Sequence, residues 1–160
     1  MIQLKAQNKF FKFKIIFHIF RYILYEMLAF FLYLICYDIW YYFIHRLMHS
    51  RYLYFIHKIH HKKLNPDYYD YYTIHILELP LQSVGIIVPV YFYKLCIVQL
   101  IFTLLFINLR GLMEHDSRIP SFISNHHLTH HKIIKYNYGA YWLDYAFGTL
   151  YLHNGNRLIK

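Results

Sequence analysis

The sequence predicts an all-α integral membrane protein: a bundle of apolar helices capped on its cytoplasmic side by helical, histidine-rich segments. Three observations predict it. Of 160 residues, 58% are hydrophobic and 22% aromatic, and only 16% are charged, against about a quarter in an ordinary soluble domain. The apolar residues come in runs of bilayer length. Finally, the chain carries 13 histidines, 11 of them between His45 and His131, gathered in the polar segments between those runs.

Residues 1–14 form a basic leader with Lys5, Lys9, Lys12 and Lys14, suited to anionic headgroups. The core of the chain is expected over 15–160. From Ile15 to Ile44 runs an apolar stretch interrupted by Arg21, Glu26 and Asp38, without Pro or Gly. One helix of that length spans about 45 Å, ample for a hydrocarbon core of about 30 Å.

Residues 45–73 are polar and basic, and Asn65-Pro66-Asp67 reads as a turn. A second apolar region, Ile76 to Leu109, holds Pro80, Gly85, Pro89 and Lys94 and divides into legs over 76–93 and 95–109. Each leg is short for a full crossing, so a hairpin that enters and returns is predicted. Residues 110–160 are polar again. Both polar segments therefore emerge on one side, and their lysines and arginines make that side cytoplasmic. A single crossing by 15–44 sets the basic leader opposite, against the same rule: either the leader stays cytoplasmic and that helix is not a simple span, or a preceding helix is missing.

Cys36 and Cys96 lie in apolar runs and read as small buried residues. The net charge of +9 belongs to lysines and arginines at the edges of apolar runs. No basic helix or nucleic-acid motif accompanies it, so nucleic acid is not an expected partner.

The histidines carry the chemistry. His45 and His49 in HRLMH are one helical turn apart. His57, His60 and His61 in HKIHH, and His127, His130 and His131 in HLTHH, repeat one spacing in two places, each triad on one helix face. These eight, with His75 and His115 at the ends of the hairpin, supply up to ten nitrogens. A structural zinc takes four ligands, so the number implies two ions. Imidazole suits iron, zinc and copper alike, and the absence of cysteine from the clusters excludes thiolate sites. Asp38, Glu78, Glu114, Asp116 and Asp144 are candidates to accept the second ring N–H of ligating histidines. His18 and His153 read as structural or solvent-facing, and His126 points off the face of its triad. The tyrosines at 68, 69, 71 and 72 read as an interfacial belt.

From Asp38 to Thr149 the chain resembles the fatty acid hydroxylase and sterol desaturase superfamily of membrane di-iron enzymes. Asp38 precedes HRLMH at the family's distance; FIHKIHH, Glu114-His115 and HHLTHH follow in family order; Asn137-Tyr138-Gly139 and DYAFGT match its closing signature. Two stretches look closest to the sterol C-5 desaturases: His75 through Glu78 to Gln82-Ser83, and HHLTHH followed by KYNYGAY. The chain departs from the family at Ile76, where Pro is usual, and at Trp142, one residue early.

The resemblance implies two non-haem iron ions and O2. It also implies electrons from a carrier such as cytochrome b5 and its reductase, and a membrane lipid or sterol that is desaturated or hydroxylated. It allows association as a homo- or hetero-oligomer and, in a eukaryote, an endoplasmic reticulum location. The alternatives are a catalytically silent, shortened paralogue that binds metal or partners longer subunits, and metal storage or transport.

Overall fold

The computed structural model describes residues 2–92, 97–118 and 121–152, with side chains described for 11–92, 97–118 and 125–152. Lys94, Cys96 and His153 lie outside the described residues. All regular structure among the described residues is helical, with no strand.

With no Gly or Pro before Gly85 and Pro66, nothing breaks the first helix: α1 runs from Ile2 to Met48, about 70 Å at 1.5 Å per residue. The basic residues expected to form a leader are thus the first turns of α1. His45 lies in its last turn. A four-residue helix, α2 (Tyr54–His57), and a 3-10 turn (His60–Lys62) follow. A second 3-10 turn, Tyr68–Tyr72, is capped by Asp67 and Asp70, each accepting from the other's end of the turn.

The predicted apolar legs are α3 (Glu78–Phe92) and α4 (Ile97–His115). Pro80 sits in the first turn of α3, where its missing N–H is not needed. The shorter helices α5 (Ser121–Lys132) and α6 (Tyr141–Ala146) complete the chain.

Two contacts orient α3 against α1. Trp40 donates its indole N–H to the Leu81 carbonyl (2.7 Å), and a Cβ on Gly85 would come within 2.9 Å of Trp40. Glycine is what lets these helices approach. Two others orient α4: Gln99 donates to the Glu26 carbonyl, and Arg110 pairs with Asp38. Hence α3 runs antiparallel to α1 and α4 parallel to it. The start of α3 and the ends of α1 and α4 meet at one end of the bundle, where α5 packs on α4.

Phe11–Met48 and Ile97–His115 are long and apolar enough to cross a membrane, and little of either is buried inside the protein. Leu28 (62% exposed), Phe102 (60%) and Leu105 (65%) point outward. So continuous an apolar exterior is the surface of a protein that lipid covers. The interior is unlike a soluble core: its largest fully buried side chains include His45, His57, His115, His130 and His131 beside Tyr33 and Tyr42.

Candidate metal centre

Nine histidines converge at the end of the bundle where α1, α3 and α4 meet. They form two groups, each with its ligand nitrogens within 4.8 Å of one another. The first holds His45, His49, His57, His61 and His130; the second holds His60, His115, His127 and His131.

Helical spacing decides the sorting. Residues i and i+4 share a group: His45 with His49, His57 with His61, His127 with His131. The i+3 member of each triad crosses over, so His60 joins His127 and His131, while His130 joins His57 and His61. Each HxxHH box therefore straddles both groups. The helix expected over the first triad is interrupted after His57 and resumes as a 3-10 turn at His60.

Around the first group the Nε2 atoms form a closed ring: His45–His57 2.8 Å, His57–His61 3.0 Å, His61–His130 3.1 Å, His130–His49 3.0 Å and His49–His45 3.3 Å. In the second group His115 Nε2 is 2.9 Å from His60 Nε2 and 3.0 Å from His127 Nε2. An ion with imidazoles at about 2.1 Å and at right angles sets neighbouring nitrogens about 3.0 Å apart.

These close pairs cannot all be hydrogen bonds. His45 Nδ1 donates to the Tyr138 carbonyl, His130 Nδ1 to the Tyr136 carbonyl (2.6 Å) and His57 Nδ1 to Glu78 Oε1 (2.9 Å). A neutral imidazole has one proton, so the Nε2 atoms of these rings are bare lone pairs. The 2.8 Å separation of His45 and His57 Nε2 then sets lone pair against lone pair, and a cation between them removes the conflict. In the second group, His115 Nδ1 donates to the Gly111 carbonyl (2.7 Å) and His131 Nδ1 to the Lys63 carbonyl (3.2 Å). His131 Nε2 is buried with no hydrogen-bond partner. The residues fit a pair of metal ions.

Burial keeps the rings neutral without metal. It pushes His49 down to about 4, and with neighbouring imidazoles it pushes His61 down to about 2 and His131 to about 3. His57, His60, His127 and His130 are likewise lowered, by burial first and adjacent imidazoles second. Neutral imidazole is the form that binds metal.

Several expected roles are corrected by the geometry. His75 stands outside both groups: it lies in the turn before α3, and its Nδ1 accepts from the Leu77 N–H. Glu78, three residues on, is the side chain turned into the centre. The other carboxylates do not hold ligating rings. Asp38 pairs with Arg110 at 2.5 Å, Glu114 lies 3.7 Å from the same guanidinium, and Asp116 pairs with Arg118 at 2.8 Å, because each has an arginine in reach.

Asp144 is fully buried. It accepts from His126 Nε2, the Tyr138 and Gly139 N–H groups and the Thr149 hydroxyl, at 2.7–3.0 Å. His126 is accordingly directed off its triad to Asp144. The backbone acceptors at Lys63, Gly111, Tyr136 and Tyr138 were not named from the sequence. Nor was Tyr138's role as a wall, its ring packed on those of His45, His49 and His130.

Asn137 makes the turn that aims this wall. Its backbone is left-handed (φ 58°), a conformation asparagine tolerates better than most residues. Its side chain is tied to Tyr151 N–H and to the Tyr151 and His126 carbonyls.

Compared with known protein families, residues 30–149, three quarters of the chain, match the model of the family described as fatty acid hydroxylase. No curated protein and no solved structure matches the chain.

Proposed function

The chain belongs to the fatty acid hydroxylase family, and from that premise we propose that it is a membrane di-iron oxidase. It would use O2 to hydroxylate or desaturate an unactivated C–H bond of a sterol or related lipid. The single observation that carries this reading is the pair of nitrogen groups whose lone pairs only cations reconcile. Iron bound there supplies the activation of O2 that no amino-acid side chain provides.

The chain's own residues do the rest. Glu78 and the carbonyls of Lys63, Gly111, Tyr136 and Tyr138 hold the ring N–H groups of His57, His131, His115, His130 and His45, which fixes which nitrogen of each faces the ions. Tyr138 and Tyr71 pack against the rings and exclude water. A cavity of about 70 Å³, lined by His60, His115, Glu78 and Tyr41 among others, gives the reacting carbon its place beside the second group.

Gln82 donates to Glu78 at 3.0 Å, a contact within the stretch that resembles the sterol C-5 desaturases; it supports the sterol reading. The exposed Lys58, Lys62 and Lys132 each follow a ligating histidine directly. They support docking of an acidic electron carrier such as cytochrome b5 on a cytoplasmic face.

The test is expression in a host with a reductase, followed by iron analysis and lipid mass spectrometry. Two irons per chain and a new hydroxylated or unsaturated lipid, lost in His130→Ala, are expected. Protein without iron, or an unaltered lipid profile, overturns the proposal.

A further inference from the structure

Helix α6 turns two unlike faces to its surroundings. Inward it sends Leu143 and Asp144, both buried; outward it sends Tyr141, Trp142 and Tyr145, all exposed, with exposed Phe147 just past its end. From Tyr136 to Leu152 the one charged side chain is Asp144, so the outward face is aromatic and carries no charge. A single exposed ring needs no explanation, but four together are a surface made to be covered.

Position says what covers it. Tyr141 lines a groove with Phe106, Leu109 and Met113 of α4. Phe147 meets Phe43 of α1 edge-on, with 5.2 Å between ring centres. Helix α6 thus reaches from one of the two helices fit to cross a membrane to the other. Its rings continue the apolar exterior of both, since Phe43, Phe106 and Leu109 are themselves exposed. Charge begins at the same level: Arg46, one turn beyond Phe43 on α1, is exposed. That boundary suits tyrosine and tryptophan, whose rings lie against acyl chains while the O–H or N–H reaches the headgroups.

The inner face leads to the histidines. Asp144 accepts from the N–H groups of Tyr138 and Gly139, and the Tyr138 carbonyl receives His45 Nδ1. We infer that α6 is an interfacial anchor: its aromatic face seats in the headgroup boundary of a phospholipid bilayer, and its inner face thereby steadies Tyr138 and the first histidine group. The seating stands on the lipid-facing surface alone; the steadying rests on the proposed metal centre.

The experiment reads the depth of Trp142. Trp40 and Trp142 are the two tryptophans of the chain, so in Trp40→Phe the fluorescence is that of Trp142. The full chain is reconstituted in phosphatidylcholine vesicles whose acyl chains carry bromine either near the headgroup or near the chain end. Stronger quenching by the bromine near the headgroup is expected, with little quenching by iodide in the water, as for a ring about 5–10 Å into the boundary. Because Trp40 ties α1 to α3, the same signal is also taken as the difference between the unaltered chain and Trp142→Phe. A Trp142 reached by iodide and not by bromine lies in water, and one reached by neither lies under protein; each overturns the anchor. Stronger quenching by chain-end bromine sets α6 in the hydrocarbon and overturns it as well.

The steadying of the centre is read separately. Trp142→Ser with Tyr145→Ser keeps Leu143 and Asp144, and at equal helicity is expected to release iron(II) to a chelator several-fold faster in vesicles. Release at the unaltered rate overturns that half of the inference. An unaltered chain that binds no iron overturns the oxidase reading and the steadying with it, while the quenching still decides the anchor.

Discussion

Glu78 Oε1 lies 2.9 Å from His57 Nδ1, and among the described residues no other carboxylate is hydrogen-bonded to a histidine of either group. At His45, His115, His130 and His131 the same task falls to backbone carbonyls, while the Nδ1 atoms of His49, His60 and His61 are buried without a hydrogen-bond partner. The acid is held in turn by Gln82, so a chain of three side chains runs from α3 into the first group.

Glu78→Gln keeps an acceptor for His57 but removes its charge, and is expected to weaken metal binding about tenfold; Glu78→Ala removes the acceptor too and is expected to approach a hundredfold. Metal retention against a chelator series, measured at constant protein fold by circular dichroism, checks both. Unchanged retention in Glu78→Ala would show that His57 needs no anchor.

Asp144 acts on the centre without touching it. It binds the N–H of Tyr138, and the carbonyl of the same residue receives His45 Nδ1. Asp144→Asn would aim an amide N–H₂ at one of two buried backbone N–H donors, leaving that donor unpaired. The expected loss is about 3 kcal/mol of stability, read as a lower unfolding midpoint in detergent, with metal lost in the same transition.

Much of this centre was legible in the sequence, because side-chain spacing carries it. HxxHH written twice and HxxxH once gave eight of the nine histidines, and Glu114-His115 gave the ninth. What the spacing did not disclose is that i+3 and i+4 serve different groups, since that depends on where two helices face each other. The holding atoms were hidden for a different reason: every residue has a carbonyl, so nothing in the letters marks Lys63, Gly111, Tyr136 or Tyr138. Asp38 misled because acids near a cluster look alike until the arginine that claims it, Arg110 on another helix, comes into place, and Glu114 because the same Arg110, one turn before it on α4, lies within 3.7 Å.

His75 gives a direct check of that sorting. Its ring caps the turn before α3 and lies outside both groups, so His75→Ala is expected to leave metal stoichiometry unchanged and shift stability by only about 0.5 kcal/mol. His130→Ala opens the five-nitrogen ring between His49 and His61 and is expected to lower the metal content. Elemental analysis of the two variants side by side separates these outcomes, and equal metal loss in both would return His75 to the ligand set.

Gly111 sits where a Cβ would come within 2.3 Å of the Tyr71 ring, and that ring packs 5.3 Å from His115. Gly111→Ala therefore pushes Tyr71 away from a histidine of the second group. The expected cost is about 1–3 kcal/mol from overpacking, with weaker metal retention at the second group. Gly111→Ala combined with Tyr71→Leu should recover part of the loss, because the smaller side chain vacates the space. No recovery in the double variant would place the damage in the helix backbone instead.

The metal-free protein should be acid-sensitive, and the sign follows from the histidines. In the unfolded chain they take up protons near their ordinary pKa of about 6.5. In the fold, burial holds His49 at about 4, His131 at about 3 and His61 at about 2. Between those values the unfolded state binds more protons, so the histidine contribution is full above about 6.5 and declines as pH falls toward 4; burial raises Glu78 to about 8, and its contribution, present below about 4.5, is lost as pH rises through 8. A series of unfolding midpoints on metal-stripped Glu78→Gln protein, which lacks the opposing carboxyl, should be flat from pH 8 to about 6.5 and then fall toward pH 4. Metal should raise the midpoints most at neutral pH, where ligands are free, and its benefit should shrink as protons compete for the same nitrogens. A flat profile down to pH 4 in Glu78→Gln would mean that the rings are already protonated or solvated in the fold, contrary to their burial.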